Sequence, residues 1–92
     1  MSYITTHFAG TVHGDVRCNT TASDVPVVNF RIQHIRRTRS GEDVLEEARL
    51  AAFGTHADLA RTLVPGDRVH GRGEQRTGGS GPEIVVDKLE KA

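Results

Sequence analysis

Tryptophan is absent, tyrosine occurs once at Tyr3, and three phenylalanines complete the aromatic set. Cysteine also occurs once, at Cys18. A single cysteine excludes an internal disulfide and a thiolate-based zinc site, and it fits a reducing compartment. An excess of charge of either sign is missing too: 12 basic residues balance 12 acidic ones. The strongly basic balance common in nucleic-acid-binding domains is therefore not available as an argument. No apolar run approaches the ~20 residues of a membrane span. The first twenty residues are polar and interrupted by Gly10 and Gly14, unlike a secretory leader. Residence in the cytoplasm, away from membranes, is expected.

Catalytic constellations are equally scarce. Ser40 and Ser80 lie in glycine-bearing stretches with no base and orienting acid in view. Gly71-Arg72-Gly73 lacks the third glycine of a dinucleotide fingerprint and continues a strand pattern instead of opening a helix. Five histidines are present, but none shows the His-x-x-x-His spacing of a helical metal site. His34 and His70 are read as surface members that could approach across strands. The expectation is a non-enzyme with no cofactor and no metal.

What the chain does have is arginine and alternation. Its 92 residues, 36% of them hydrophobic, suffice for one domain over residues 1–92 with a modest core. A core of that size gains from a partner, so a homodimer or homotetramer is expected. Ten of the twelve basic residues are arginine; the two lysines are Lys88 and Lys91. The planar guanidinium fork suits phosphate and stacks on bases. Arginine-rich codon usage in a GC-rich genome would produce the same bias.

Period-two alternation predicts five strands. The first covers about 3–12, with Phe8, Gly10 and Val12 on one face; residues 19–26 read as a loop. The second covers about 27–37, with Val28, Phe30 and Ile32 inward and Val27, Asn29, Arg31 and Gln33 outward. A basic excursion over 37–43 follows. The third runs from about Val44, with Leu50 toward the core, which leaves Phe53 on the outer face with Arg49. Residues 55–64 read as a helix, with Thr55 and Asp58 as a weak capping box and a stripe of Ala57, Ala60, Leu63 and Val64. Pro65-Gly66 ends it. The fourth strand covers about 68–76, where Gly71 and Gly73 signal close backbone approach. A Gly/Ser loop over 77–82 and a fifth strand over about 83–89 complete the chain. Five strands with a helix between the third and fourth is the chain order of an all-β, five-stranded Greek-key barrel of the oligonucleotide-binding (OB) type.

The residues that carry this pattern are Gly10-Thr11-Val12, Asn29-Phe30-Arg31-Ile32, Phe53-Gly54 before an Ala- and Leu-bearing helix, Pro65-Gly66-Asp67-Arg68-Val69, Gly73, Arg76 and Glu83-Ile84-Val85-Val86-Asp87. In order and spacing they resemble the bacterial single-stranded DNA-binding protein family over nearly the whole chain. That resemblance implies an OB barrel, sequence-tolerant binding of single-stranded DNA in replication, recombination or repair, and assembly into dimers or tetramers. Two features depart from it. Thr38 and Glu47 stand where the family carries base-stacking aromatics, and Leu89-Glu90-Lys91-Ala92 is not followed by an acidic tail in this sequence. The second departure is shared with the primosomal replication protein B relatives, whose second strand Pro26–His34 resembles. They imply an alternative role, an adaptor that acts through contacts with helicase or replication-restart proteins.

The expected DNA-binding residues are Arg31, Arg49, Arg72 and Arg76 on strands, converging on one outer groove. Arg36, Arg37 and Arg39 would close over it from the loop, with Phe53 as the surviving stacking platform. Two plainer readings stand beside these. The arginines could be solvated and paired with Glu42, Asp43, Glu46 and Glu47. Phe53 could pack under a loop or between subunits.

Overall fold

The computed structural model describes residues 4–78 and 81–92. Five strands and one short helix follow one another: β1 (Thr5–Thr20), β2 (Pro26–Arg37), β3 (Asp43–Phe53), α1 (His56–Ala60), β4 (Arg68–Gly78) and β5 (Gly81–Lys91). They close in the ring order β1-β2-β3-β5-β4. All pairings are antiparallel except β3 with β5, which meet in parallel at Leu50 and Ala51. This is the OB barrel that the element order predicts.

Alternation builds the core as expected. Phe8 and Val12 of β1, Val28, Phe30 and Ile32 of β2, Leu50 and Ala52 of β3, Val69 of β4, and Ile84 and Val86 of β5 point inward and are buried together. Ala57, Ala60 and Leu63 add to the same cluster from α1 and the turn after it, and the helix packs on β2, β3 and β5. Glycine on β4 is a matter of space. Phe8 stands opposite Gly71, and a methyl group there would lie 2.8 Å from the Phe8 ring and collide with the Lys88 carbonyl oxygen of β5.

Four expectations need correction. β1 does not stop near Val12 but runs on to Thr20, into the first two residues of the stretch read as a loop. Gly14, in the left-handed region at φ 73°, bends the strand, and the register with β2 shifts between His13 and Arg17. One strand thereby pairs with β4 over Thr5–Thr11 and with β2 over Thr11–Thr20, which makes a corner of the barrel. The helix is five residues long, not ten, and Thr55 makes no side-chain cap. Thr55 is itself in the helical region, where its hydroxyl is poorly aimed at the first-turn amides. The chain after α1 tightens through short-range bonds from Thr62 N to Leu59 O and from Leu63 N to Ala60 O, and Val64 is left exposed.

Both expected excursions are hairpins. The β2–β3 connection is closed by Thr38 N donating to Glu42 O at 2.8 Å and Gly41 N donating to Thr38 O at 3.0 Å, with Gly41 at φ 86°. The β4–β5 hairpin pairs Thr77 with Pro82 and Gly78 with Gly81. Ser80 lies outside the described residues. No helix among the described residues is long and apolar enough to cross a membrane.

Candidate nucleic-acid interface

The β2–β3 ladder is the longest continuous pairing in the barrel, from Val27↔Phe53 to Arg37↔Asp43. Every second pair lies on the outer face of the barrel, although Val27 and Ala51 are themselves buried there. Starting from the helix end, the outward pairs are Val27/Phe53, Asn29/Ala51, Arg31/Arg49, Gln33/Glu47, Ile35/Leu45 and Arg37/Asp43. β1 extends this face on one side, with Arg17 beside Asn29 and His13 beside Arg31. β5 extends it on the other, with Val85 beside Ala51.

Arg31 and Arg49 are thus direct cross-strand neighbours. Like charges in that position oppose sheet formation unless something compensates. Part of the compensation is internal. The Arg31 guanidinium lies over Gly14, where a side chain would meet Nη2 at 2.5 Å, and Nη1 reaches Glu47 Oε1 at 3.4 Å. Glu47 also accepts from Gln33 Nε2 at 3.4 Å. Arg49 Nη2 donates to the Pro82 carbonyl oxygen at 3.4 Å, which ties β3 to the β4–β5 hairpin. Between these arginines, Arg17, Asn29, Asp15 and Glu83 lies an open groove of about 380 Å³. Arg17 was missed in the sequence because the first strand was expected to end near Val12, before it.

The other expected residues are distributed as follows. Phe53 lies on the outer face as expected, at 36% exposure, two outward pairs from Arg49. Arg36 pairs with Glu46, and Arg37 Nε with Asp43 Oδ1 at 3.3 Å, along the hairpin arm; Arg39 is exposed in its turn. Arg76 Nε meets Glu74 Oε1 at 3.3 Å and is the cross-strand neighbour of Glu83, so it borders the groove from the β4–β5 hairpin. Arg72 does not join them, which corrects the expected convergence. It faces outward between His7 of β1 and Lys88 of β5, on the wall across the barrel from β2 and β3, and its Nε meets Asp87 Oδ1 at 2.9 Å.

His34 and His70 do not approach each other. His34 stands opposite Glu46 on the β2–β3 arm, whereas His70 Nε2 lies 3.6 Å from Glu90 Oε2 on the far wall. Behind the site, the turn leading into β4 is fixed by Asp67. Its Oδ2 accepts from the Val64 amide at 3.0 Å and meets Lys91 Nζ at 3.4 Å. The amide bond, helped by Lys91, holds the Asp67 carboxyl below the usual carboxylate range.

No family model matches the sequence, and no curated protein matches it. Solved structures do match the fold. The small single-stranded DNA-binding protein from Streptomyces coelicolor is 19% identical, with 100% of this chain and 95% of that one covered at a TM-score of 0.83. The protein priB from Ralstonia solanacearum is 16% identical, with 96% of this chain and 97% of that one covered at a TM-score of 0.81. At these identities the likeness is one of fold: the chain is an OB barrel similar in architecture, end to end, to these two proteins.

Proposed function

We propose that this protein binds single-stranded DNA with little sequence preference, along the outer face of β2 and β3, in replication, recombination or repair. The observation that carries the reading is the opposed pair Arg31 and Arg49, with Arg17 beside them. Three guanidinium groups on one open groove suit the evenly spaced phosphates of a flexible strand. The similarity to a single-stranded DNA-binding protein of known structure supports it. Phe53 supplies a face for one base, and Arg36, Arg37, Arg39 and Arg76 add charge at the arm and the neighbouring hairpin. Arg72, on the far wall, would serve only a strand that wraps around the barrel. The setting is the cytoplasm, as a homodimer or homotetramer.

Fluorescence anisotropy with labelled oligo-dT at several salt concentrations tests this. Binding at low salt that weakens steeply as salt rises is expected; no binding at low salt, or binding indifferent to salt, overturns it.

A second reading, the adaptor that contacts helicase or restart proteins, is favoured by one observation. Two of the three arm arginines are already matched to carboxylates, Arg36 with Glu46 and Arg37 with Asp43. Pull-down against such factors, compared with DNA affinity, separates the two.

A further inference from the structure

On the β2–β3 arm, Arg37 stands opposite Asp43, Arg36 opposite Val44, His34 opposite Glu46 and Gln33 opposite Glu47. Ile35 and Leu45 stand directly opposite each other, point outward, and are 64% and 60% exposed. They border a cleft of about 460 Å³ that continues onto Ala9 and Thr11 of β1 and is edged by Arg68. Isolated exposed aliphatics are ordinary. A cross-strand pair of them, set between Arg37/Asp43 and Gln33/Glu47 on the same face, forms a surface.

Its position along the ladder gives it meaning. Phe53, whose cross-strand partner Val27 is buried, lies two outward pairs to one side of Arg31/Arg49, and the exposed Ile35 and Leu45 lie two outward pairs to the other. Each separation spans four residues, about 14 Å along an extended strand. The outer face therefore reads apolar, cationic, apolar. That is the order needed to pack bases at both ends of a segment whose phosphates are held between them.

We infer that Ile35 and Leu45 form a second base-packing platform for single-stranded DNA, in a chain whose Glu47 and Thr38 cannot stack bases. The inference rests on the proposed DNA-binding reading. Two features favour a nucleobase over a second protein chain. The pair lies on the same outer face as the arginine groove, separated from it by Gln33/Glu47, with Arg37 at the next outward position and Arg68 at the edge of its cleft. In addition, two aliphatic side chains with a neighbouring alanine expose far less than the ~800 Å² per partner that a stable protein interface buries.

The test compares the full-length protein with Ile35→Thr/Leu45→Thr, which places β-branched, strand-compatible side chains at both positions. Oligo-dT affinity is expected to fall about tenfold, the loss of roughly one packed base. The slope of affinity against salt should stay unchanged, because no phosphate contact is removed. A normal affinity overturns the inference. So does a lower mass by light scattering without DNA, which would mean that a second copy covers the face. Photocrosslinking of the unaltered protein to iodouracil-substituted oligonucleotide provides a readout free of folding effects. Crosslinks at Ile35 or Leu45 support the platform, and crosslinks confined to Phe53 and β4–β5 overturn it. If Arg31→Ala and Arg49→Ala also leave binding untouched, the DNA-binding reading itself has failed; if they weaken it while the aliphatic variant does not, only this inference has.

Discussion

Arg31 and Arg49 face each other across the β2–β3 ladder with their side chains on the solvent side of the barrel. Two guanidinium groups in that position repel, and one carboxylate, Glu47, lies diagonally within reach of Arg31 at 3.4 Å. Such a pair disfavours folding by itself. An anion that bridges the two turns the repulsion into affinity, because each guanidinium then donates to a charged acceptor.

Glu47 therefore competes with phosphate for Arg31. Replacing it by glutamine keeps the shape and removes the charge. Glu47→Gln is expected to tighten oligo-dT binding about two- to fivefold at low salt, the worth of an exposed ion pair. Anisotropy titration measures it, and weaker binding by the variant would contradict the competition.

Arg72 is the contrasting arginine. It lies on the opposite wall and is engaged by Asp87 at 2.9 Å. Arg72→Ala is expected to leave the affinity for an oligonucleotide too short to encircle the barrel within about twofold. A loss comparable to that of Arg49→Ala would place DNA on the β4 side and contradict the β2–β3 face.

Gly71 tests the barrel. Alanine there would drive a methyl group into the Lys88 carbonyl and toward the Phe8 ring. Separating β4 from β5 or displacing Phe8 is expected to cost about 3 kcal/mol, at the upper end for overpacking. Chemical denaturation would show it as a lower midpoint. Equal stability would mean that the two strands are farther apart than described.

Asp67 gives a pH signature. Its carboxyl is held below the ordinary range by the Val64 amide and by Lys91. A carboxylate depressed in the folded state contributes stability above its unfolded pKa of about 3.9 and loses it as pH falls through the lower folded value. Asp67→Asn should therefore melt at a lower temperature than the parent above about pH 5, and the difference should shrink toward about pH 3. Thermal melts across that range decide it; a difference independent of pH would contradict the assignment.

How much of this was legible in the sequence depends on what alternation can encode. Phe8 and Val12, Val28, Phe30 and Ile32, and Leu50 with Ala52 announce their inward faces, and all are buried. The placement of Phe53 beside Arg49 on the outside follows from the same parity. Alternation separates inside from outside, but a closed barrel has an outside all the way round. Which wall a residue occupies is set by ring order, so Arg72 could be read as outward but not as remote from Arg31. The second half of β1 was hidden for another reason. After Gly14 only Val16 packs against the core, so Arg17 gave no strand signal, and its pairing with Asn29 is imposed by β2. The Ile35/Leu45 pair is a matter of hairpin register, which the turn at residues 38–42 fixes and composition does not reveal.

The most direct test of the central claim is the salt dependence of oligo-dT binding for the parent and for Arg31→Ala/Arg49→Ala. Each phosphate contact on a single strand contributes about 0.7 to the slope of log affinity against log salt, so losing both should lower it by about 1.4. A double variant with the parent's affinity and slope would show that the opposed arginines do not hold the strand.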